Sequence, residues 1–362
     1  MGGFFQKNNF FKKSEAFGVD FSKSALKIIQ LENDKHGKRV VGWSKKKMPK
    51  GLIDSYLIND FSLFKKVFND SIIDAKGSFR GNNLVLSVPE TKIFTRVVEI
   101  PLMRKDEANE AVKWESESNI PISIDSVYYD WEIIKKKKQK MDVLVMASPK
   151  KVIDNYLSAF ESIGYEVVAF EPESVANGRS IIGAKDSGFL LLVDIGMDYG
   201  NFVLYDKNVP IFTANSSVCG KVFTDAVVKQ LGTSFEKAES YKIKTGLGKN
   251  KKEKEEVFNT FKPILENLVE DIEKTIDFFQ NNLFKEMGDK KIKKVVLTGG
   301  GSNLRGLDAY LSSRLNREVV KADPWSEFNF NKRVPPISKD DAQNFSTAIG
   351  LSLRAQEYEN FD

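Results

Sequence analysis

The sequence predicts an α/β protein built as two halves, and three observations lead there. The stretch 190–205 reads as an apolar strand carrying Asp194, a glycine-containing turn and a returning strand. The stretch 16–31 repeats the plan: Asp20 stands near the end of its strand, Ser22, Lys23 and Ser24 form a small polar turn, and an alternating strand starts at Ala25. A third strand, 294–297, runs into Gly299, Gly300 and Gly301. Two strands joined by an uncrowded turn offer one carboxylate and several N–H donors to the same point, which suits a phosphate with its magnesium. Asp194 alone is also what an ordinary buried hairpin shows, because aspartate favours turns. Its repetition at Asp20, in the other half, favours the ligand reading, and a site between two such halves suits a nucleoside triphosphate.

Composition narrows the class. At 362 residues the chain exceeds one compact core, so two or more domains or subdomains are expected. Hydrophobic residues at 41% and charged residues at 29% are those of a globular protein, and a net charge of +5 is too small to predict nucleic-acid binding. One cysteine (Cys219) permits no internal disulfide, and one histidine (His36) leaves little for a zinc site or a Ser/His triad, so the cytoplasm is the expected compartment. No apolar run reaches the roughly 18 residues that span a bilayer. Residues 1–15 are expected to be a flexible tail, in which four phenylalanines and three lysines could also touch a membrane surface weakly.

The elements follow from periodicity and punctuation. After the first hairpin, 32–38 reads as a turn and 39–47 as a strand. Phe61, Phe64, Val67, Phe68 and Ile72 give 51–74 helical spacing. Residues 84–88 form a buried strand ended by Pro89. The region 91–165 reads as a module of its own: strand 95–100, helix 105–117, strand 128–134, a solvated lysine turn, strand 141–147, and a helix opened by Pro149 and capped by Gly164. Strand 166–170 leads to a helix over 171–182. Beyond the second hairpin come strand 209–214, helix 221–231 and a helix over 234–241 with Ser234 as N-cap. The charged run 248–256 reads as a mobile loop, and 257–283 as a long amphipathic helix. A helix beginning near Asn303 follows the glycines, whose bare backbone would admit a flat ligand beside the N–H groups of the helix start.

In the order GVDFSKSALKIIQLE, WESESNIPISIDSVYYD, VDIGMDYGNFVLY, EKAESYK, LTGGGSNLRGL and FSTAIGLSLRAQ, the chain resembles the PilM family, the actin-like ATPases of type IV pilus assembly. The resemblance runs from about residue 16 to 356. It implies an actin-like fold of the FtsA and actin superfamily: two RNase-H-like lobes around a nucleotide cleft, with a small α+β insertion (1C-type) in the first lobe. The implied boundaries are a tail at 1–15, first lobe at 16–90, insertion at 91–165, return and connecting helix at 166–189, second lobe at 190–340, and connecting helix with tail at 341–362.

The resemblance also implies roles. Ser22, Lys23 and Ser24 would form the first phosphate loop, and Asp194 with Gly196 the second. Gly220 would let backbone approach the phosphates, Glu239 and Lys242 would hold ribose or adenine, and Gly299, Gly300 and Ser302 would form the adenine shelf. Asp20 and Asp194 would hold magnesium through phosphate and water, so the implied cofactors are ATP and Mg. Glu173 and Ala176, with Ala348 and Gly350, would lie on two crossing helices whose small residues permit close packing. Ser22 stands where relatives commonly carry glycine, and Asp198 and Tyr199 where small hydroxyl residues are frequent, so nucleotide binding is expected more than efficient hydrolysis. The implied partners are the N-terminal peptide of a PilN-type inner-membrane protein and the pilus motor ATPases, at the cytoplasmic side of the inner membrane, in a machine serving twitching motility. Two alternatives stand beside this: a filament-forming, membrane-tethered protein like FtsA, and a small-molecule kinase of the same superfamily.

Overall fold

A computed structural model describes residues 15–34, 37–183, 188–247, 251–283, 291–326, 328, 330 and 335–359. The chain divides into two compact units. One runs to Gly183 and takes in Pro324–Pro336 and the chain from Phe345, and the other holds the intervening residues to Asp323 with Ile337–Asn344.

The first unit opens with an antiparallel meander of β1 (Ala16–Phe21), β2 (Ala25–Asp34) and β3 (Gly37–Lys47). The turn expected over 32–38 is narrower, because β2 continues to Asp34 and β3 starts at Gly37; His36 lies outside the described residues. A small hairpin of β4 (Ile53–Asp54) and β5 (Leu57–Ile58) then precedes helix α1 (Phe61–Ile73). The helix expected from residue 51 therefore starts ten positions later, where Asp60 accepts a hydrogen bond from the Leu63 amide and caps it. β6 (Lys76–Gly77) pairs with β3, and β7 (Asn83–Val88) lies parallel to β1.

A separate three-stranded sheet follows: β8 (Phe94–Pro101), helix α2 (Ala108–Asn119), β9 (Val127–Lys136) and β10 (Lys140–Pro149), with β10 in the centre. Ala108 and Val112 pack against Val98, Ile100, Met141, Val143 and Val145 to give this sheet its own core. Helix α3 (Lys150–Glu161) touches β9 and β10 and also packs its aromatic face on the larger sheet. Its Tyr156 and Phe160 sit 4.7 and 5.8 Å from Phe21 by ring centroids, and Phe160 is 5.2 Å from Phe64 and 5.5 Å from Phe68. The module expected to close at Tyr165 thus has its sheet complete at Pro149. Gly164, with φ +87°, stands two residues beyond the helix cap at Ser162. β11 (Glu166–Pro172) runs parallel to β7 and leads into helix α4 (Glu173–Ile181).

The second unit repeats the plan. β12 (Phe189–Ile195), β13 (Gly200–Asp206) and β14 (Val209–Ser216) form a second antiparallel meander, followed by helices α5 (Gly220–Leu231), α6 (Phe235–Thr245) and α7 (Lys251–Phe278). Helix α7 starts inside the run expected to be a loop. Lysine and glutamate are good helix formers, so a charged segment without glycine or proline can extend an amphipathic helix; residues 248–250 lie outside the described set. Val257, Phe261, Leu265, Leu268, Ile272 and Ile276 of α7 bury against Leu191, Val193 and Ile195 of β12 and their neighbours, and the helix ends in a single π turn, Phe279–Leu283. β15 (Ile292–Thr298) lies parallel to β12, and β16 (Val319–Lys321) parallel to β15, after helix α8 (Leu307–Leu315). Helix α9 (Lys339–Ala342) is short.

Both large sheets share one topology. The first runs β3, β2, β1, β7, β11 across its body, with β6 beyond β3, and the second runs β14, β13, β12, β15, β16. In each, the first strand of the meander is central, with an antiparallel hairpin on one side and parallel strands on the other. Asp20 and Asp194 are each the penultimate residue of that central strand.

The last helix, α10 (Ser346–Glu359), returns to the first unit and lies over β1 and α4. Two glycines set its depth. A side chain at Gly18 would run into the Ala348 carbonyl and come within 2.6 Å of the Ser352 amide, and one at Gly350 would run into the Ala176 carbonyl. The Leu31 amide donates to Ser352 Oγ at 3.0 Å, which ties α10 to β2. Glu173, Ala176, Ala348 and Gly350 thus lie on α4 and α10, two helices whose backbones touch.

Candidate functional site

In the first unit the turn between β1 and β2 is built by Ser22. Its amide donates to the Ala25 carbonyl at 2.9 Å, and its Oγ takes hydrogen bonds from the Ser24 and Ala25 amides, each at 3.3 Å. The hydroxyls of Ser22 and Ser24 lie 3.0 Å apart, and Lys23 at the tip reaches Asp54 at 3.8 Å. Asp20 is buried beneath this turn. Lys27, its cross-strand partner, donates to Oδ2 at 2.7 Å, and Ser87 Oγ donates to Oδ1 at 3.0 Å. Both carboxylate oxygens are therefore engaged by side chains of the protein.

In the second unit the eight candidate residues fall into two groups: Gly196, Gly220, Glu239 and Lys242 are linked by hydrogen bonds, and Asp194, Gly299, Gly300 and Ser302 meet at the glycine turn. Gly196 closes a turn by donating to the Tyr199 carbonyl at 3.0 Å, and its own carbonyl accepts from the Gly220 amide at 2.8 Å. Gly220 is the first residue of α5, not a residue ahead of it, and its bare Cα faces the backbone of Gly196 and Met197. Lys242, buried on α6, spends its three donors on the Gly220 carbonyl (3.0 Å), Thr224 Oγ1 (2.9 Å) and Glu239 Oε2 (2.7 Å). That side chain locks the start of α5 onto α6. Of the pair expected at the ribose or adenine, Glu239 keeps its carboxylate partly exposed.

The glycines after β15 adopt a 3-10 turn, Gly300–Asn303, and the α-helix expected near Asn303 begins at Leu307. Gly299 has φ +80°, and a side chain there would strike Asp194 Oδ1. Asp194 is half-buried and stands in register with Asn201 on β13 and Thr298 on β15. Ser302 is fully buried, with its hydroxyl between the Gly299 carbonyl (2.7 Å) and the Gln343 side chain, so it supports the glycine turn from beneath. Asn344 lies against the bare Cα of Gly300. The Leu247 amide donates to the Arg305 carbonyl at 2.9 Å and stitches α6 to the same turn.

The sequence profile described as "Type IV pilus assembly protein PilM" matches residues 18–356, most of the chain. The chain belongs to the PilM family. Among solved structures, this PilM-family chain is similar to a PilM–PilN type IV pilus biogenesis complex at 22% identity, with a TM-score of 0.81 over 95% of this chain and 99% of the other. It also shares its fold with MreB5 of Spiroplasma citri bound to AMPPNP, at 12% identity and a TM-score of 0.54, covering 95% and 96% of the two chains. Among curated proteins it is similar to the cell division protein FtsA of Staphylococcus epidermidis, at 21% identity over 83% of this chain and 72% of the relative. The fold is therefore actin-like, as the motifs implied.

For a PilM-family chain the charge at the first turn is a finding the motifs did not give. Lys27 is invisible as a site residue until the β1–β2 register is known, although its place on an alternating strand seven residues after Asp20 is a usable signal. Among the described residues no group of three acidic, cysteine or histidine side chains converges to ligate a metal. Each oxygen of Asp20 already accepts one side-chain hydrogen bond, which is compatible with the expected contact to magnesium through phosphate and water. A magnesium carried by phosphate and water beside the half-buried Asp194 is compatible with the residues present. No helix among the described residues is long and apolar enough to cross a membrane.

Proposed function

We propose that this PilM-family chain is an ATP-binding scaffold of the type IV pilus assembly platform. The observation that carries the nucleotide part is the pairing of Asp194 with Gly299. A half-buried carboxylate at the end of a central strand faces a glycine turn whose side chains have been removed from its path. Such a strand end offers backbone donors to phosphate and an acidic group to the water around a phosphate-bound cation. Magnesium, when bound with the nucleotide, would neutralise phosphate charge. Glu239 would take a ribose hydroxyl, while Gly299 and Gly300 would let the base lie on backbone.

ATP turnover is expected to be weak or absent. Asp198 adds negative charge to the same turn as Asp194, which works against a developing phosphate charge. The chain would sit at the cytoplasmic face of the inner membrane by holding the N-terminal peptide of a PilN-type protein, and would pass movement between that protein and the cytoplasmic motor. Support for the partner comes from the complex whose fold this chain shares; an extended peptide beside a sheet edge is an inexpensive recognition mode.

Calorimetry with ATP and magnesium tests the nucleotide part: binding is expected in the wild type and lost in Asp194→Ala. Equal affinity in the two proteins would remove the site. A pull-down with the cytoplasmic N-terminal peptide of the PilN-type protein tests the partner, and failure to capture it would remove the scaffold role.

A further inference from the structure

The hairpin that joins β9 to β10 is closed by a hydrogen bond from the Lys137 amide to the Lys140 carbonyl at 2.8 Å. It carries Lys135, Lys136, Lys137, Lys138 and Lys140, and all of them are exposed except Lys137, which is half-buried. Two acids face them. Glu99 of β8 takes Lys137 at 2.7 Å and also Lys140, and Asp142 takes Lys137 at 2.8 Å. Lys135, Lys136 and Lys138 pair with no carboxylate among the described residues. The loop beside the tip carries Arg104 and Lys105 with Asp106 and Glu107, so it adds no net charge. Leu102 stands in the same tip. Its amide donates to the Gln139 carbonyl at 2.9 Å, which brings the end of β8 against the turn, and it is 46% exposed.

Keeping the end of a small sheet soluble and unpaired needs only a charge or two. Here like charges crowd one turn, the two acids neutralise only Lys137 and Lys140, and an exposed leucine works against solubility. Lys135 and Lys136 are neighbours on a strand and point to opposite faces of it. The tip is therefore basic all round, not along one groove. That shape suits a flat, diffusely negative surface. A lysine ammonium is a compact point charge that imposes no planar geometry, whereas paired recognition of a single phosphate favours arginine. Nor does the tip hold out a ring on which a base could stack, because Trp131 packs against the core under α2 and donates its Nε1 hydrogen to Asn109.

We propose that the β9–β10 tip docks end-on onto an anionic phospholipid surface, with Lys135, Lys136 and Lys138 among the headgroups and Leu102 entering the interface. Glu99 and Asp142 hold Lys137 and Lys140 and keep the turn in one shape. Each lysine beside an anionic leaflet contributes about fivefold in affinity, and a single leucine adds a small apolar share. The contact is weak by itself. It orients a chain that a partner already keeps at the membrane, where a second contact acts at high effective concentration. The membrane is taken from the scaffold reading, but the tip is tested without the partner, so the two can fail separately.

The test is flotation of the full chain with vesicles of phosphatidylcholine and phosphatidylglycerol in equal parts, and with vesicles of phosphatidylcholine alone. Wild type is expected on the anionic vesicles only, with binding that falls as salt is raised, because exposed charges are screened. Lys135→Gln, Lys136→Gln and Lys138→Gln combined should weaken it on the order of a hundredfold, the product of three such factors. Leu102→Ser should lose several-fold while keeping the salt dependence. These side chains are exposed, so both variants should unfold at the wild-type urea midpoint. Glu99→Gln removes an acid from the tip and should bind the vesicles more tightly than wild type, the reverse of what a merely structural hairpin would show. No binding to anionic vesicles overturns the proposal, and so does equal binding by the triple variant, which would place the contact elsewhere in the chain. Wild type that prefers a duplex DNA fragment to the vesicles at the same salt also overturns it, in favour of nucleic acid. Failure to capture the PilN-type peptide, with vesicle binding intact, removes the scaffold role and keeps the tip.

Discussion

Lys27 and Asp20 face each other across the β1–β2 ladder, with the ammonium 2.7 Å from the carboxylate. Asp20 is only 4% exposed, and this ammonium and the Ser87 hydroxyl are its side-chain partners. Removing one member of a buried pair costs about 3–5 kcal/mol, because the other charge is left without compensation. Lys27 retains some contact with water, so Lys27→Met should fall at the low end, near 3 kcal/mol, in urea unfolding. Asp20→Asn, which can keep the Ser87 contact, should cost less. A loss below about 1 kcal/mol for Lys27→Met would place the pair with exposed salt bridges.

The approach of α10 to α4 gives a second expectation. A methyl group at Gly350 has no room, because the obstacle is the Ala176 carbonyl, backbone inside a helix that cannot rotate away. Overpacking of this kind costs about 1–3 kcal/mol, or more where backbone must shift. Gly350→Ala should therefore lower the urea midpoint clearly. The unaltered midpoint of such a variant would mean that α10 does not sit on α4 at this depth.

How much of this could be read from the chain depends on the range of the interaction. The two hairpins were legible because apolar strand, aspartate and small turn are neighbours in sequence. Phe61 to Ile72 announced α1, but the same spacing concealed the hairpin carrying Tyr56, although Asp60 offered a cap signal at the true start. The run 251–256 misled because a segment without apolar residues can still extend a helix that is anchored further on. Lys27 beside Asp20, Lys242 beneath Gly220 and Ser302 beneath Gly299 depend on register and packing that no local pattern encodes. The close contact of Gly350 with Ala176 was legible only through the family's motifs.

Glu171 makes a third case. It is fully buried at the end of β11, where Arg179 grips it at 2.5 and 2.8 Å and Arg354 of α10 lies 3.6 Å away. Arg179 also donates to the Gly350 carbonyl at 3.1 Å, so one cluster joins β11, α4 and α10. Glu171→Gln would take the carboxylate away from the buried Arg354 and the mostly covered Arg179, a loss of about 3 kcal/mol. The measurement is urea unfolding of the variant against wild type. A near-neutral result would show that water or another anion reaches the cluster.

Acid dependence is expected at the tip of the three-stranded sheet. Hydrogen bonds from Lys137, at 2.7 Å, and then from Lys140 pull the Glu99 carboxyl down from its ordinary value near 4.5 to about 2. A depressed acid favours the folded state when it is ionised. Its contribution is fully present above pH 4.5, fades as the pH falls through that interval, and is gone below about 2. Stability measured against pH should therefore separate wild type from Glu99→Gln above pH 4.5 and bring the two together near pH 2. These groups face solvent, so added salt should narrow the gap by screening. Parallel curves across the whole interval would show that the lysines do not hold Glu99 in solution.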